Sequence, residues 1–452
     1  MSDNRGPIGY FRELPLFAQN VSFVFLAQAA VVLCGMLSNI VVARWLGPEG
    51  QGKYALCVLL GVMLLRFLTL NMGVAATVYV GNGRHRPAAV AGNLLTLSFT
   101  IIAVMAFCYH AFMPAAGPVF LRNLEPALFS PAFLLFPFSM LSAGLIGISR
   151  GLNFIKRASL IDMVETVSKA VLIFAFVALL GGGVRGAVYA AAAASVCGLA
   201  YAVLILPRGT LSAPAFDTAV AGDLLRFGAK GHLGNIVQFF NYRLDMFLVN
   251  FFLTPASVGV YSIAVMVGEL AWYVPTAVAS VLLPKTAAGS KLEADQFTPM
   301  VCRITVAATL AFSLVLALAA GPAIRLAFGR DFAPSMTPLL LLLPGIVVFS
   351  VSKVLASDLV GRGYPLYPTY IAAVSLGVTA LLDVLLIPGW RLAGAAAASS
   401  ISYAVSSLLF LRAARGVSGN RPADYLFLKG GDIRRLAAAL APGAPSGRAA
   451  AL

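Results

Sequence analysis

Apolar positions in this chain come in long uninterrupted blocks rather than at the short spacing of a half-buried surface helix. Twelve such blocks can be drawn, at 19–43, 54–80, 88–113, 128–149, 158–181, 186–206, 227–252, 257–283, 301–320, 337–360, 367–388 and 392–413. A helix rises about 1.5 Å per residue and the hydrocarbon core of a bilayer is about 30 Å thick, so each block is long enough to cross as a helix. The pattern predicts an all-α polytopic membrane protein of about 12 transmembrane helices. Short connectors such as GNGRHRP (81–87) and SRGLNFIKR (149–157) separate the blocks. The longest central connector, near 207–226, carries Pro207, Pro214, Asp217 and Asp223 and reads as a linker between two sets of six. The expected organisation is a cytoplasmic N-terminus (1–15), an N-terminal six-helix lobe (16–206), the linker (207–226), a C-terminal six-helix lobe (227–414) and a tail (415–452).

Composition agrees with a membrane solvent. Sixty per cent of the 452 residues are hydrophobic and 11% are charged, whereas about a quarter are charged in soluble domains. The formal charge of +15 invites a nucleic-acid reading, but the basic residues follow alternate connectors. Connectors on the side of the N-terminus hold roughly three times as many Lys and Arg as those on the other side, which places both termini in the cytoplasm by the positive-inside rule. Topology and contact with anionic membrane lipid therefore account for the charge, and no nucleic-acid partner is expected. No short apolar core with a small-residue cleavage site marks a cleavable signal peptide. The five cysteines lie in or beside apolar blocks without CxxC or histidine spacing, which suits packing residues and gives no metal site. The tail, rich in Gly, Ala, Pro and Arg, reads as a mobile end.

The two sets of six echo each other. ARWLGPEGQGKYAL (43–56) follows the first block and NFFLTPASVGVYSI (250–263) follows the seventh. At an offset of 207, Leu46 pairs with Leu253, Pro48 with Pro255, Gly52 with Gly259, Tyr54 with Tyr261 and Pro137 with Pro344. Arg150-Gly151 against Arg362-Gly363 and Gly186-Ala187 against Gly394-Ala395 repeat at slightly different offsets. Such parallel repeats suit alternating access, in which one lobe rocks against the other.

Ionisable groups at bilayer depth are costly and mark candidate sites. Arg66, Thr69, Gly73 and Thr77 share a face of the second span, while Asn235, Gln238, Tyr242 and Asp245 share one on the seventh, with Arg243 pointing elsewhere. The eighth span adds Ser262, Met266, Glu269, Tyr273 and Thr276, with a kink expected at Pro275. The first contributes Gln28, Gly35 and Asn39. Polar packing between helices competes as the role of the neutral residues, and structural ion pairing as that of Arg66, Asp245 and Glu269. On the fifth span Asp162, Glu165 and Lys169 suggest a salt-bridged face in which Glu165 pairs with Lys169 one turn on. Lys353, Asp358 and Asp383 have no evident sequence partner.

No catalytic residue is proposed. The three histidines are scattered, GxSxG, HExxH and Walker A sequences are absent, and the connectors are too short for a nucleotide-binding domain. No cofactor is expected, and transport would draw on an ion gradient or on the gradient of the substrate.

NIVVARWLGPEGQGKYAL after the first span, NYRLDMFLVNFFLTPASVGVYSIA across the seventh and eighth, and WRLAGAAAASSISYAV opening the twelfth resemble the ARxLGPxxxGxY, RxD with a later GxYS, and GAAxA patterns of the oligosaccharide flippases of the polysaccharide transporter family. That family shares a superfamily with the multidrug and toxin extruders (MATE) and the lipid II flippases. The resemblance covers all twelve spans and implies a MATE-like fold in the bacterial inner membrane. It implies a flippase that carries a polyprenyl-diphosphate-linked oligosaccharide to the outer leaflet by alternating access for polysaccharide biosynthesis, with a polymerase and glycosyltransferases as partners. On that reading Arg66 and Arg243 contact the diphosphate, Gln238, Asn241 and Tyr242 meet the sugars, and Asp245 and Glu269 couple transport to protons or sodium. Twelve spans rather than fourteen argue against a lipid II flippase. The alternative is an ion-coupled multidrug or small-molecule exporter of the same fold. A major facilitator is a third option, but GNGRHRPAAVAG lacks the acid usual in its loop after the second helix.

Overall fold

The computed structural model describes residues 7–120, 124–211 and 216–432. Residues 1–6, the linker segment 212–215 with Pro214, and the tail from 433 onward lie outside the described residues. The chain is built from α1 (Pro7–Leu68), α2 (Met72–Gly81), α3 (Pro87–Phe120), α4 (Phe129–Gly151), α5 (Ile155–Ile173), α6 (Gly183–Ile205), α7 (Thr218–Phe252), α8 (Pro255–Glu269), α9 (Tyr273–Ala288), α10 (Lys291–Ala327), α11 (Met336–Gly361) and α12 (Leu366–Ser418). No strand occurs among the described residues, and eight helical stretches are long and apolar enough to cross a membrane. The protein is a polytopic all-α membrane protein.

Helices and apolar blocks are equal in number but do not correspond one to one: α12 holds two spans, α1 holds the first span and the start of the second, and the second and eighth spans are each divided between two helices. α1 turns at Gly47 (φ 66°, ψ −173°) and α12 at Arg391 (φ 53°, ψ −129°). Both residues occupy the mirror-image extended region that only glycine enters without strain. Gly183 (φ 62°), at the offset of the Gly186–Gly394 echo, holds the place in the first half that Arg391 holds in the second. Other spans are interrupted: the second between α1 and α2, the fifth by a π-helical turn at Phe174–Leu179, and the eighth by a 3₁₀ turn at Leu270–Trp272. The kink expected at Pro275 falls at that turn, four residues after Ala271, whose carbonyl the proline cannot satisfy.

The chain divides into two compact units. The first comprises Met1–Phe239, Leu253–Val260 and Ala327–Asp331, and the second Phe240–Phe252, Tyr261–Leu326 and Phe332–Leu452. The division runs through α7, between Phe239 and Phe240.

In the first unit, α4 packs against α1, α2 and α6. Small residues permit the approach: a Cβ on Gly147 would strike the Gly73 carbonyl, and Thr77 Oγ1 donates 3.0 Å hydrogen bonds to the carbonyls of both Gly73 and Gly147. Such close packing replaces the hydrophobic driving force that lipid cannot supply. The repeated junctions also meet here. A Cβ on Gly52 would collide with the Pro255 carbonyl, and one on Gly259 with the Pro48 carbonyl. These are the residues paired at offset 207, so the contact is reciprocal: each glycine meets the carbonyl of the other junction's proline. It explains why Leu253–Val260 belongs to the first unit.

In the second unit, α11 packs against α9 and α12, joined by hydroxyls. Ser352 and Ser407 meet at 2.8 Å, and Ser402 receives Thr379 at 2.7 Å and touches Ser375 at 2.8 Å. α11 ends as α4 does, with a residue of positive φ (Gly363, Asn153) followed by a backbone N–H that reaches back five residues: Tyr364 to Leu359 and Phe154 to Ser149, both 2.8 Å. This match aligns Asn153 with Gly363, two residues away from the register that pairs Arg150 with Arg362 in the sequence.

The start of the tail is not a free end. Arg303 on α10 grips both carboxylate oxygens of Asp432 at 2.6 and 2.7 Å and the Asp424 carbonyl at 2.6 Å, and Tyr425 is buried. The mobile-end reading is therefore corrected through Asp432.

Candidate functional site

In the first unit the candidate chemistry gathers where the second span breaks. Leu70 (φ 44°) and Asn71 (φ 56°) are left-handed between α1 and α2, a conformation asparagine tolerates and leucine resists. Gly228 of α7 lies so close that a Cβ there would collide with the Leu70 carbonyl. Arg66 sits in the last turn of α1, exposed and without an ion-pair partner among the described residues. Its cation favours a helix C-terminus, where carbonyl dipoles are unsatisfied. Of the face read from the sequence, Gly73 and Thr77 form the joint with α4, while Arg66 is exposed. Asn39 and Gln51 act as polar packing, joined at 3.0 Å. The expected Glu165–Lys169 pair does not form: Glu165 Oε1 accepts a 2.7 Å hydrogen bond from Ser195. Gln238 is partly exposed on the portion of α7 in this unit.

The loop after α2 is tied to the start of α7. Asp223 meets His85 Nε2 and Arg84 at 2.9 Å each, and the His85 hydrogen bond holds its carboxyl below the usual carboxylate range.

In the second unit, α7 delivers the remaining candidates within five residues. Arg243 forms a two-pronged salt bridge with Glu269, at 2.7 and 3.1 Å. The structure thus joins two residues to which the sequence assigned separate roles, Arg243 with the substrate and Glu269 with coupling. Glu269 ends α8 immediately before the 3₁₀ turn that carries Trp272. Tyr242 joins Trp272, Phe349 and Tyr403 in one aromatic cluster, with ring centroids 4.8–6.1 Å apart. The ammonium of Lys353, one turn after Phe349 on α11, lies 4.6 Å from the Trp272 ring centre and 5.6 Å from that of Tyr242. Asn241 is buried with its carbonyl oxygen unpartnered among the described residues.

Asp245 is buried and held from three sides: Tyr261 Oη donates at 2.6 Å, Ser399 Oγ at 3.3 Å and the Met246 N–H at 2.8 Å. Tyr261 is the tyrosine of the repeated junction. Asp383 on α12 is wholly buried, and neither carboxylate oxygen has a hydrogen-bond partner among the described residues. It feels the charge of Asp245. Two neighbouring carboxyls sealed from water bring charge that only a proton or a cation can offset. No cluster of three or more metal-ligating side chains occurs among the described residues.

Sequence reasoning singled out Asp245 as a candidate, left Asp383 and Lys353 without a partner, and did not read the place of Trp272 beside Lys353. A lone ionisable residue within an apolar block was the available signal for Asp383 and Lys353, but their neighbours come from other helices.

The chain is 25% identical over 205 residues to the probable low-salt glycan biosynthesis flippase of Haloferax volcanii, a match spanning 44% of this chain and 43% of that protein's length. Its fold is similar to that of the lipid II flippase MurJ in an inward closed conformation, with a TM-score of 0.72 and 15% identity over 89% of this chain and 88% of the other. It is also similar to an inward-facing multidrug resistance transporter of the MATE family, with a TM-score of 0.71 and 17% identity over 86% and 94% of the two chains. Residues 17–288, more than half of the chain, match the family described as polysaccharide biosynthesis protein. The chain belongs to that family.

Proposed function

We propose that this protein is a flippase that moves a polyprenyl-diphosphate-linked oligosaccharide from the cytoplasmic to the outer leaflet of a bacterial inner membrane by alternating access, with both termini cytoplasmic. The observation that carries this reading is Arg66, an exposed cation in an apolar block at a helix break, with no ion-pair partner among the described residues. A diphosphate and its sugars cannot cross hydrocarbon unaided and need fixed positive charge and hydrogen-bonding groups in a hydrated path, while the prenyl chain can remain in lipid. Broken helices at bilayer depth are where transporters expose such groups. An exporter of cationic drugs would need an accessible acid instead. Here Asp245 and Asp383 are buried and both oxygens of Glu269 are bound to Arg243.

In this reading Arg66 meets the diphosphate, and Gln238, Asn241 and Tyr242 meet the sugars. The Arg243–Glu269 pair fixes α7 to the end of α8. Asp245, joined by Asp383, takes up the coupling proton or cation. Family membership and the glycan biosynthesis flippase among its relatives support the substrate class.

The test is transport in proteoliposomes. A fluorescent polyprenyl-diphosphate oligosaccharide should become accessible to an impermeant lectin on the far side faster than in protein-free vesicles. Efflux of a cationic dye without lipid movement would overturn the proposal in favour of a drug exporter.

A further inference from the structure

Lys353 stands apart from the other charges of the second unit. Glu269 is the one acid whose charge bears on it, and Arg243 already occupies both oxygens of that carboxylate. The ammonium is instead held over the rings of Trp272 and Tyr242. Ring faces attract a cation but supply no formal negative charge, so they position it without neutralising it. Arg243 and Glu269 bind each other, so among the described residues no carboxylate is paired with the Lys353 ammonium. Beside it, the indole N–H of buried Trp272 has no acceptor among the described residues. A buried donor without an acceptor is costly in an empty site and useful in an occupied one. A cation and a spare N–H donor together make a locus short of acceptor oxygens.

We propose that Lys353 and Trp272 form an oxyanion-binding subsite in the second unit, which takes the diphosphate of the lipid-linked substrate at one stage of its passage. The proposal rests on the lipid-linked reading above and adds a second diphosphate contact to Arg66. Lys353 supplies the charge and the Trp272 N–H a directed hydrogen bond. Tyr242 and Trp272 keep the lysine stem from wandering. The break in the eighth span at Leu270–Trp272 brings the indole to this place.

The test measures binding of three probes to the full-length protein in nanodiscs: polyprenyl diphosphate, polyprenyl monophosphate and polyprenol. The parent should prefer them in that order. Lys353→Gln should lose about tenfold or more in affinity for the diphosphate while binding polyprenol as the parent does. Lys353→Arg should recover much of the loss, because arginine also stacks on aromatic rings, and Trp272→Phe should show a smaller loss confined to the phosphorylated probes. Lys353→Met serves as the folding control. Since the ammonium forms no ion pair among the described residues, its thermal midpoint should match or exceed that of the parent. If the parent prefers diphosphate to polyprenol and Lys353→Gln keeps that preference undiminished, the subsite is overturned and the lipid-linked reading stands. If the parent itself does not distinguish diphosphate from polyprenol, both fall.

Discussion

The second and eighth spans hold corresponding places in the two halves of the chain and both are broken, yet they handle charge in opposite ways. At the break between α1 and α2, Arg66 is exposed and has no ion-pair partner among the described residues. At the break between α8 and α9, Glu269 is clamped by Arg243, and the remaining cation, Lys353, rests on aromatic rings. Repetition of a backbone irregularity therefore does not repeat its chemistry. The first unit carries an exposed arginine at its break. The second carries its charges inside a framework of helices, where they hold segments together and bury two carboxyls.

The largest separation between the two breaks should come from removing each arginine. Arg66→Ala is expected to abolish transport of the lipid-linked oligosaccharide while leaving the amount of folded protein unchanged, and Arg66→Lys should keep part of the activity as a charge without the two-pronged fork. Arg243→Ala should instead lower stability by about 2 kcal/mol, because it strands the Glu269 carboxylate. The double variant Arg243→Met with Glu269→Met should recover most of that loss. Denaturation in detergent micelles measures both. Equal loss of protein and activity in Arg66→Ala would erase the contrast.

The reciprocal contact of the repeated junctions gives the next effect. Gly52→Ala and Gly259→Ala each push a methyl group into a backbone carbonyl, and each should cost about 2 kcal/mol. Because the two glycines serve one contact, the double variant should cost less than the sum. Strict additivity would show that the two sides are independent.

A smaller effect of opposite sign is expected at Arg391. Its backbone lies where glycine is at ease, and Gly183 occupies the corresponding place in the first half. Arg391→Gly should raise stability by about 1 kcal/mol through relief of strain. A drop would mean that the arginine side chain holds the bend in place.

Much of this architecture is legible in the sequence because bilayer thickness sets the length of an apolar block, and each of the twelve blocks falls mainly on helix, the second crossing a break at 69–71. The junction repeat is legible too, since a collision-free approach of two backbones demands glycine at Gly52 and Gly259. The breaks are less so. No glycine or proline marks the left-handed turn at Leu70 and Asn71, and nothing in the sequence distinguishes Arg391 as the residue that bends. The pairing of Arg243 with Glu269 was hidden for another reason. Helical spacing tells which residues share a face of one helix, but not which neighbouring helix that face meets. Asp383 illustrates the same limit, since its neighbour Asp245 lies on a helix far away in sequence.

The central claim is that exposed charge in the first unit meets the substrate while buried carboxyls in the second harness the driving ion. Transport of lipid-linked oligosaccharide in proteoliposomes, measured with and without an imposed proton or sodium gradient, tests it most directly. Arg66→Ala should be inactive under both conditions. Asp383→Asn and Asp245→Asn should keep slow, gradient-independent movement and lose the acceleration that the gradient gives the parent. If both carboxamide variants respond to the gradient as the parent does, these carboxyls do not couple transport and the claim is contradicted.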